Sequence, residues 1–142
     1  MLELVYASAA TRPFTAAELQ ELLIKARTKN APLGVSGLLL HHEGSFLQVL
    51  EGEEEAVEPL FDTIARDPRH SRVLSIRRGT ISERTFGQWS MGFVGVNKQD
   101  IPRLSGFSSF LQTGRLEAEP SADRLREVFS AFRGGRWRQA IR

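Results

Sequence analysis

The period of apolar positions changes several times along the chain, and each change marks an element. Residues 2–8 alternate, with Leu2, Leu4 and Tyr6 on one side, which predicts a strand. Thr15 and Glu18 then form a capping box. Leu19, Leu22, Leu23 and Ala26 recur at helical spacing, closing at Lys29 and Asn30 before Pro32 and Gly34. Residues 35–40 and 46–50 are two apolar runs around a short Gly-containing link, which predicts a hairpin. A second helix is predicted over 53–66. Its first turn is acidic and reaches Pro59, its stripe is Val57, Leu60, Phe61 and Ile64, and Asp67-Pro68 stops it. Residues 71–78 and 86–96 predict two more strands, the last with Trp89, Met91 and Phe93 on one side. The order βαββαββ predicts a ferredoxin-like α+β fold: a mixed five-stranded sheet with two flanking helices.

The texture changes after about residue 98. Pro102, Ser105, Gly106, Ser108 and Ser109 predict an irregular or helical connector. An amphipathic helix follows, capped by Ser121, striped by Leu125, Val128, Phe129 and Phe132, and ended by Gly134 and Gly135. The chain therefore divides into a domain over 1–98 and a helical extension over 99–142. The extension is too short to fold alone and is expected on the uncovered sheet face or on a partner chain.

Composition narrows the chemistry. The chain of 142 residues is 41% hydrophobic and 25% charged, the balance of a globular domain. It has no signal-peptide pattern and no apolar run near the roughly 20 residues of a membrane helix, so a cytoplasmic location without membrane contact is expected. Zero cysteines exclude disulfides, thiol catalysis and thiolate metal sites. A net charge of +2 does not argue for direct nucleic-acid binding. The arginines at 124, 126, 133, 136, 138 and 142 read as a solvated tail or a partner surface, and Glu51 with Glu53 as a solvated loop before the second helix.

No nucleotide-binding glycine loop is present, and His41, His42 and His70 lack metal-ligand spacing. No nucleophile, base and orienter assemble, so no enzyme is expected. What remains is Tyr6, Asn30 and Gln48. A buried glutamine needs partners, and the phenol of a neighbouring strand can supply one. If the strand faces bearing Tyr6 and Gln48 turn toward the helices, both groups enter the slot between them, within reach of Asn30. Each also has an ordinary structural reading: Tyr6 as core packing, Asn30 as a helix C-cap, Gln48 as a polar residue at a sheet rim.

Four segments carry a resemblance. They are Asn30-Ala31-Pro32-Leu33-Gly34-Val35-Ser36-Gly37-Leu38-Leu39-Leu40, Phe46-Leu47-Gln48-Val49-Leu50-Glu51-Gly52, Asp67-Pro68-Arg69-His70 and Phe86-Gly87-Gln88-Trp89-Ser90-Met91-Gly92-Phe93. Together they resemble a BLUF domain, a blue-light sensor using FAD, over residues 2 to about 96, and the extension resembles the helical cap of short stand-alone members. The resemblance places the family's essential tyrosine, asparagine and glutamine on Tyr6, Asn30 and Gln48, and its semi-conserved tryptophan and methionine on Trp89 and Met91. It implies a non-covalent flavin, FAD with FMN and riboflavin also open, sandwiched by Leu22 and Ile64. Asn30 would bond the pyrimidine edge. Lys29, Arg66, Arg69 and His70 are candidates for the ribityl and phosphate end, with Asp67 of the same turn beside them.

The resemblance further implies light-driven electron and proton transfer from Tyr6, after which Gln48 is rotated or tautomerised and absorption shifts to the red. Trp89, Met91 and the extension would relay the change to a separate effector protein, a cyclic-dinucleotide enzyme or a transcriptional regulator. The Phe129 and Phe132 stripe permits a homodimer without requiring one. Two other readings stand beside this one: a non-photoactive small-ligand regulatory domain of ferredoxin-like fold, and a cofactor-independent oxygenase of the dimeric α+β-barrel type.

Overall fold

In the computed structural model, residues 1–11, 14–42, 44–86, 92–95, 107–108, 127–128 and 131–132 are described. The elements are β1 (Leu2–Ala10), α1 (Ala16–Leu33), β2 (Ser36–His42), β3 (Ser45–Gly52), α2 (Glu54–Ala65), β4 (His70–Thr80), β5 (Gly92–Gly95) and β6 (Phe107–Ser108). The sheet runs β4-β1-β3-β2-β5-β6. The pairs β1–β4, β1–β3 and β3–β2 are antiparallel, whereas β5 lies parallel to β2 and β6 parallel to β5. The crossover β1–α1–β2 skips over β3, and β3–α2–β4 skips over β1. Right-handed crossovers of this kind bring both helices to one face.

The fold is thus the expected α+β arrangement, with a sheet that is longer by one strand. Phe107–Ser108 is a two-residue strand where an irregular or helical connector was expected; two residues are too few to show a period. The strand expected over 86–96 is confined, among the described residues, to Gly92–Gly95. Trp89, Met91, Ser121, Leu125, Phe129 and the arginines beyond 123 lie outside the described residues.

β1 and β3 are central, and every residue of both is buried. Their alternation divides the core in two. Leu2, Leu4, Tyr6, Phe46 and Leu50 meet Leu19 and Leu23 of α1 and Val57 and Leu60 of α2. On the opposite face Val5, Ala7, Leu38, Leu40, Leu47 and Val49 pack with Phe86 and Phe132, and Val128 is partly buried against them. The helical turns at 127–128 and 131–132 therefore meet the face that α1 and α2 leave open.

Local chemistry sets the helix ends. The Thr15–Glu18 capping box is formed at 3.1 Å in both directions. α1 continues past Asn30, carries Pro32 in its last turn and ends at Gly34, whose φ of 69° favours a residue without Cβ. There Gly34 N–H donates to Ala31 O and Val35 N–H to Asn30 O, both at 3.1 Å, closing a Schellman motif. The capping residue is accordingly Gly34 and not the Asn30 side chain. α2 begins after Glu53, so Pro59 falls in its second turn and not its first. Pro59 and Glu55, whose carbonyl loses its helical donor, are both exposed, so solvent can serve that carbonyl.

Glu51 overturns an expectation. It is wholly buried near the end of β3, not solvated, whereas Glu53 is exposed.

Candidate functional site

Strand register creates the central contact. Tyr6 on β1 and Gln48 on β3 are direct cross-strand partners, and both side chains point from the sheet toward the helices. The Tyr6 hydroxyl donates to Gln48 Oε1. Tyr6 is 1% and Gln48 5% exposed, so the bond is shielded from solvent. Phe61 of α2 packs on the phenol ring, with centroids 5.3 Å apart and planes inclined at 55°. Burial pushes the Tyr6 phenol well above its ordinary range, and the Asp67 carboxylate pushes it the same way. The hydroxyl consequently remains a protonated donor at any physiological pH. With the acceptor end of the Gln48 amide toward Tyr6, its donor end is directed elsewhere.

Gln48 also lines a cleft of about 140 Å³ between the helices. From α1 come Leu22, Lys25, Ala26, Lys29 and Asn30; from α2 come Leu60, Thr63 and Ile64; Asp67 and Arg69 follow α2. Spacings of three and four residues put each set on one helix face. Asn30 is 2% exposed, a buried amide on that wall. Arg69 grips Asp67 with Nη2 at 2.6 Å and Nε at 3.0 and 3.1 Å. That hydrogen bonding holds the Asp67 carboxyl below its usual range and raises the Arg69 guanidinium.

The donor set fits a flavin. Leu22 and Ile64 present apolar surface from opposite helices, Asn30 and Gln48 present amides that would suit a polar ring edge, and Lys25, Lys29 and Arg69 present cations that would suit a phosphate. Of the expected residues, Leu22, Lys29, Asn30, Gln48, Ile64, Asp67 and Arg69 are brought to this cleft, with Tyr6 behind Gln48. Arg66 and His70 are not part of its wall. Arg66 is the exposed residue that ends α2. His70 opens β4, with Nδ1 3.0 Å from Ser8 Oγ and its ring edge-on to Phe46 at 5.2 Å. Lys25, Ala26, Leu60 and Thr63 were not named as site residues from the sequence. Ala26 and Leu60 sat on the apolar stripes, and Lys25 lies one turn before Lys29, so periodicity carried a signal for three of the four.

Residues 1–92 match the BLUF family, described as sensors of blue light using FAD. The chain belongs to that family. It is 37% identical over 89 residues to the photoactivated adenylate cyclase subunit beta of Euglena longa; the match covers 62% of this chain and 10% of that protein. The chain thus spans about a tenth of the length of such curated relatives. Among solved structures it resembles Klebsiella pneumoniae BlrP1 in a calcium and cyclic-diGMP complex, with TM-score 0.73 and 35% identity, covering 95% of this chain and 34% of that one. It also resembles BlsA in its ground state, with TM-score 0.67 and 29% identity, covering 97% and 91%. Among the described residues no helix is long and apolar enough to cross a membrane.

Proposed function

We propose that blue light acts on this protein through Tyr6 and Gln48, and that the resulting change is passed to an effector protein. The observation that carries this is the buried hydrogen bond from the Tyr6 hydroxyl to Gln48 Oε1 at the wall of an interhelical cleft. When bound, FAD supplies an excited state that draws charge from a nearby phenol. Tyr6 would give up the electron and then the hydroxyl proton, Gln48 Oε1 being the atom placed to receive that proton, and both would return to Tyr6 as the charges recombine, so that nothing is oxidised or reduced overall. A carboxamide can satisfy this position in more than one arrangement, since it has one accepting and one donating end. Low dielectric makes partly satisfied arrangements costly, so the alternatives are discrete. Leu22 and Ile64 hold the ring, Asn30 orients its polar edge, and Lys29 and Arg69 meet the phosphates.

The class of that effector is suggested by the relatives. The cyclase name of the Euglena relative and the cyclic-diGMP complex of BlrP1 support a cyclic-nucleotide enzyme as its class. We place the protein in the cytoplasm, together with the cyclic-nucleotide enzyme proposed as its effector.

The test is spectroscopic. The purified protein should be yellow, and blue light should move its flavin absorption reversibly to the red. A protein that stays colourless after incubation with FAD would instead support a light-independent ligand-binding domain.

A further inference from the structure

Among the buried polar side chains of β3, Gln48 and Glu51 lie on opposite faces. Gln48 faces the cleft; Glu51, three residues on, lies on the side of Leu47 and Val49. The Glu51 carboxylate accepts from Ser36 Oγ at 2.9 Å, Phe86 N–H at 2.6 Å and Thr85 N–H at 2.9 Å. Arg84 closes the same knot from its solvent side. Its Nη1 donates to Ser36 Oγ at 2.8 Å and Glu51 O at 3.1 Å, and its Nη2 to Gly34 O at 2.5 Å. Three consecutive residues, 84–86, are thereby tied to β3 and to the end of α1. The last of them, Phe86, is wholly buried in the cluster that contains Phe132.

Packing alone does not call for a carboxylate here. An apolar side chain would fill this face without the desolvation cost of a buried charge, as Leu47 and Val49 do. What the carboxylate adds is a directional grip on two backbone N–H groups, so a displacement of β3 moves residues 85 and 86 with it. We propose that Glu51 is a positioning residue that couples rearrangement at Gln48 to the C-terminal helical turns, through Phe86 and Phe132. This rests on the blue-light reading above.

The test uses the full flavin-loaded chain and Glu51→Gln, which keeps size but sets an amide N–H₂ against groups that donate. Two readouts are taken in light and dark: flavin absorption, and hydrogen exchange of peptides covering 127–132. The expected result is an unchanged red shift with loss of the light-minus-dark exchange difference seen in the wild type. A purely structural role would raise exchange equally in both states and leave the difference in place, which overturns the proposal. A wild-type protein that red-shifts with no exchange difference over 127–132 overturns it as well. If the wild type shows no red shift, the blue-light reading itself fails and the coupling falls with it. Should Glu51→Gln not fold, Arg84→Ala severs the solvent side of the knot and is judged by the same outcomes.

Discussion

Tyr6 and Gln48 occupy directly opposed positions on β1 and β3, and the phenol donates to the amide oxygen across that pair. The contact is fixed by register. A slip of one residue would turn Gln48 to the opposite face, into the cluster of Leu47, Val49 and Phe86. Gln48→Leu should therefore leave a folded, yellow protein whose blue-light red shift is absent. Tyr6→Phe should give the same spectroscopic result. It should also destabilise the fold by about 1–3 kcal/mol, because a buried amide oxygen loses a donor. A red shift of normal size in either variant would remove that residue from the mechanism.

Lys29 lies on the cleft wall one turn beyond Lys25 on the same helix face. If these cations meet phosphate, Lys29→Ala should weaken FAD several-fold while leaving riboflavin affinity nearly unchanged. Raising salt should narrow the difference, because exposed charges are screened. Titration of the apoprotein with both ligands at two ionic strengths measures this. Equal losses for the two ligands would place Lys29 on the ring and not on the phosphates.

His70 links the stability of the fold to pH. Burial lowers its affinity for a proton below that of an exposed imidazole; the Asp67 carboxylate opposes this and Arg69 reinforces it. The folded pKa thus lies below the unfolded value of about 6.5. Stability from this group is complete above that value and is lost as pH falls toward the folded pKa, because the unfolded chain takes up the proton first. The loss should not exceed about 1.4 kcal/mol per pH unit. Denaturant midpoints between pH 8 and pH 5 should fall in the wild type and flatten in His70→Gln.

The two helical crossovers, the faces of β1 and β3 and the Tyr6–Gln48 pairing were legible because alternation in two central strands leaves little freedom. Less was legible where the deciding contact is remote in sequence. Glu51 looked like a loop residue because its partners are the backbone groups of Thr85 and Phe86, more than 30 positions away, which no local pattern reveals. Asn30 looked like a cap because Pro32 suggested an earlier stop; a proline in the final turn does not break the helix that precedes it. His70 was grouped with the cations of its turn, yet β4 begins there and strand geometry turns its ring onto Phe46.

Glu3 and Glu51 present a further test. They are cross-strand partners on β1 and β3, both wholly buried, so two carboxylates share one face. Arg77 Nε donates to Glu3 Oε1 at 3.1 Å from β4. Arg77→Ala should cost about 1–3 kcal/mol, since it strips a guanidinium from a buried anion beside a like charge. Adding Glu3→Gln should recover part of that loss. A double-mutant cycle with strictly additive costs would show that Arg77 acts by packing and not by charge.

Gly52 closes β3 where the chain end of α1 passes closest to it. A Cβ at that position would lie 3.0 Å from Gly34 O, with Val35 Cα and Val57 Cγ2 at 3.5 Å. The nearest atom is backbone in the αL turn that ends α1, and Arg84 already donates to the same oxygen. It cannot rotate aside as a side chain would. Gly52→Ala should therefore displace either the helix end or β3 and cost about 1–3 kcal/mol. Gly79 is the control: a Cβ there meets only Arg77 Nη2 at 3.6 Å, an ordinary van der Waals distance that asks nothing to shift. Gly79→Ala should fall within about 0.5 kcal/mol of wild type, as substitutions that disturb no packing or hydrogen bond usually do. Chemical denaturation of the two variants side by side separates a steric limit at Gly52 from a general intolerance of β-carbons in this sheet, and equal losses would reject the steric account.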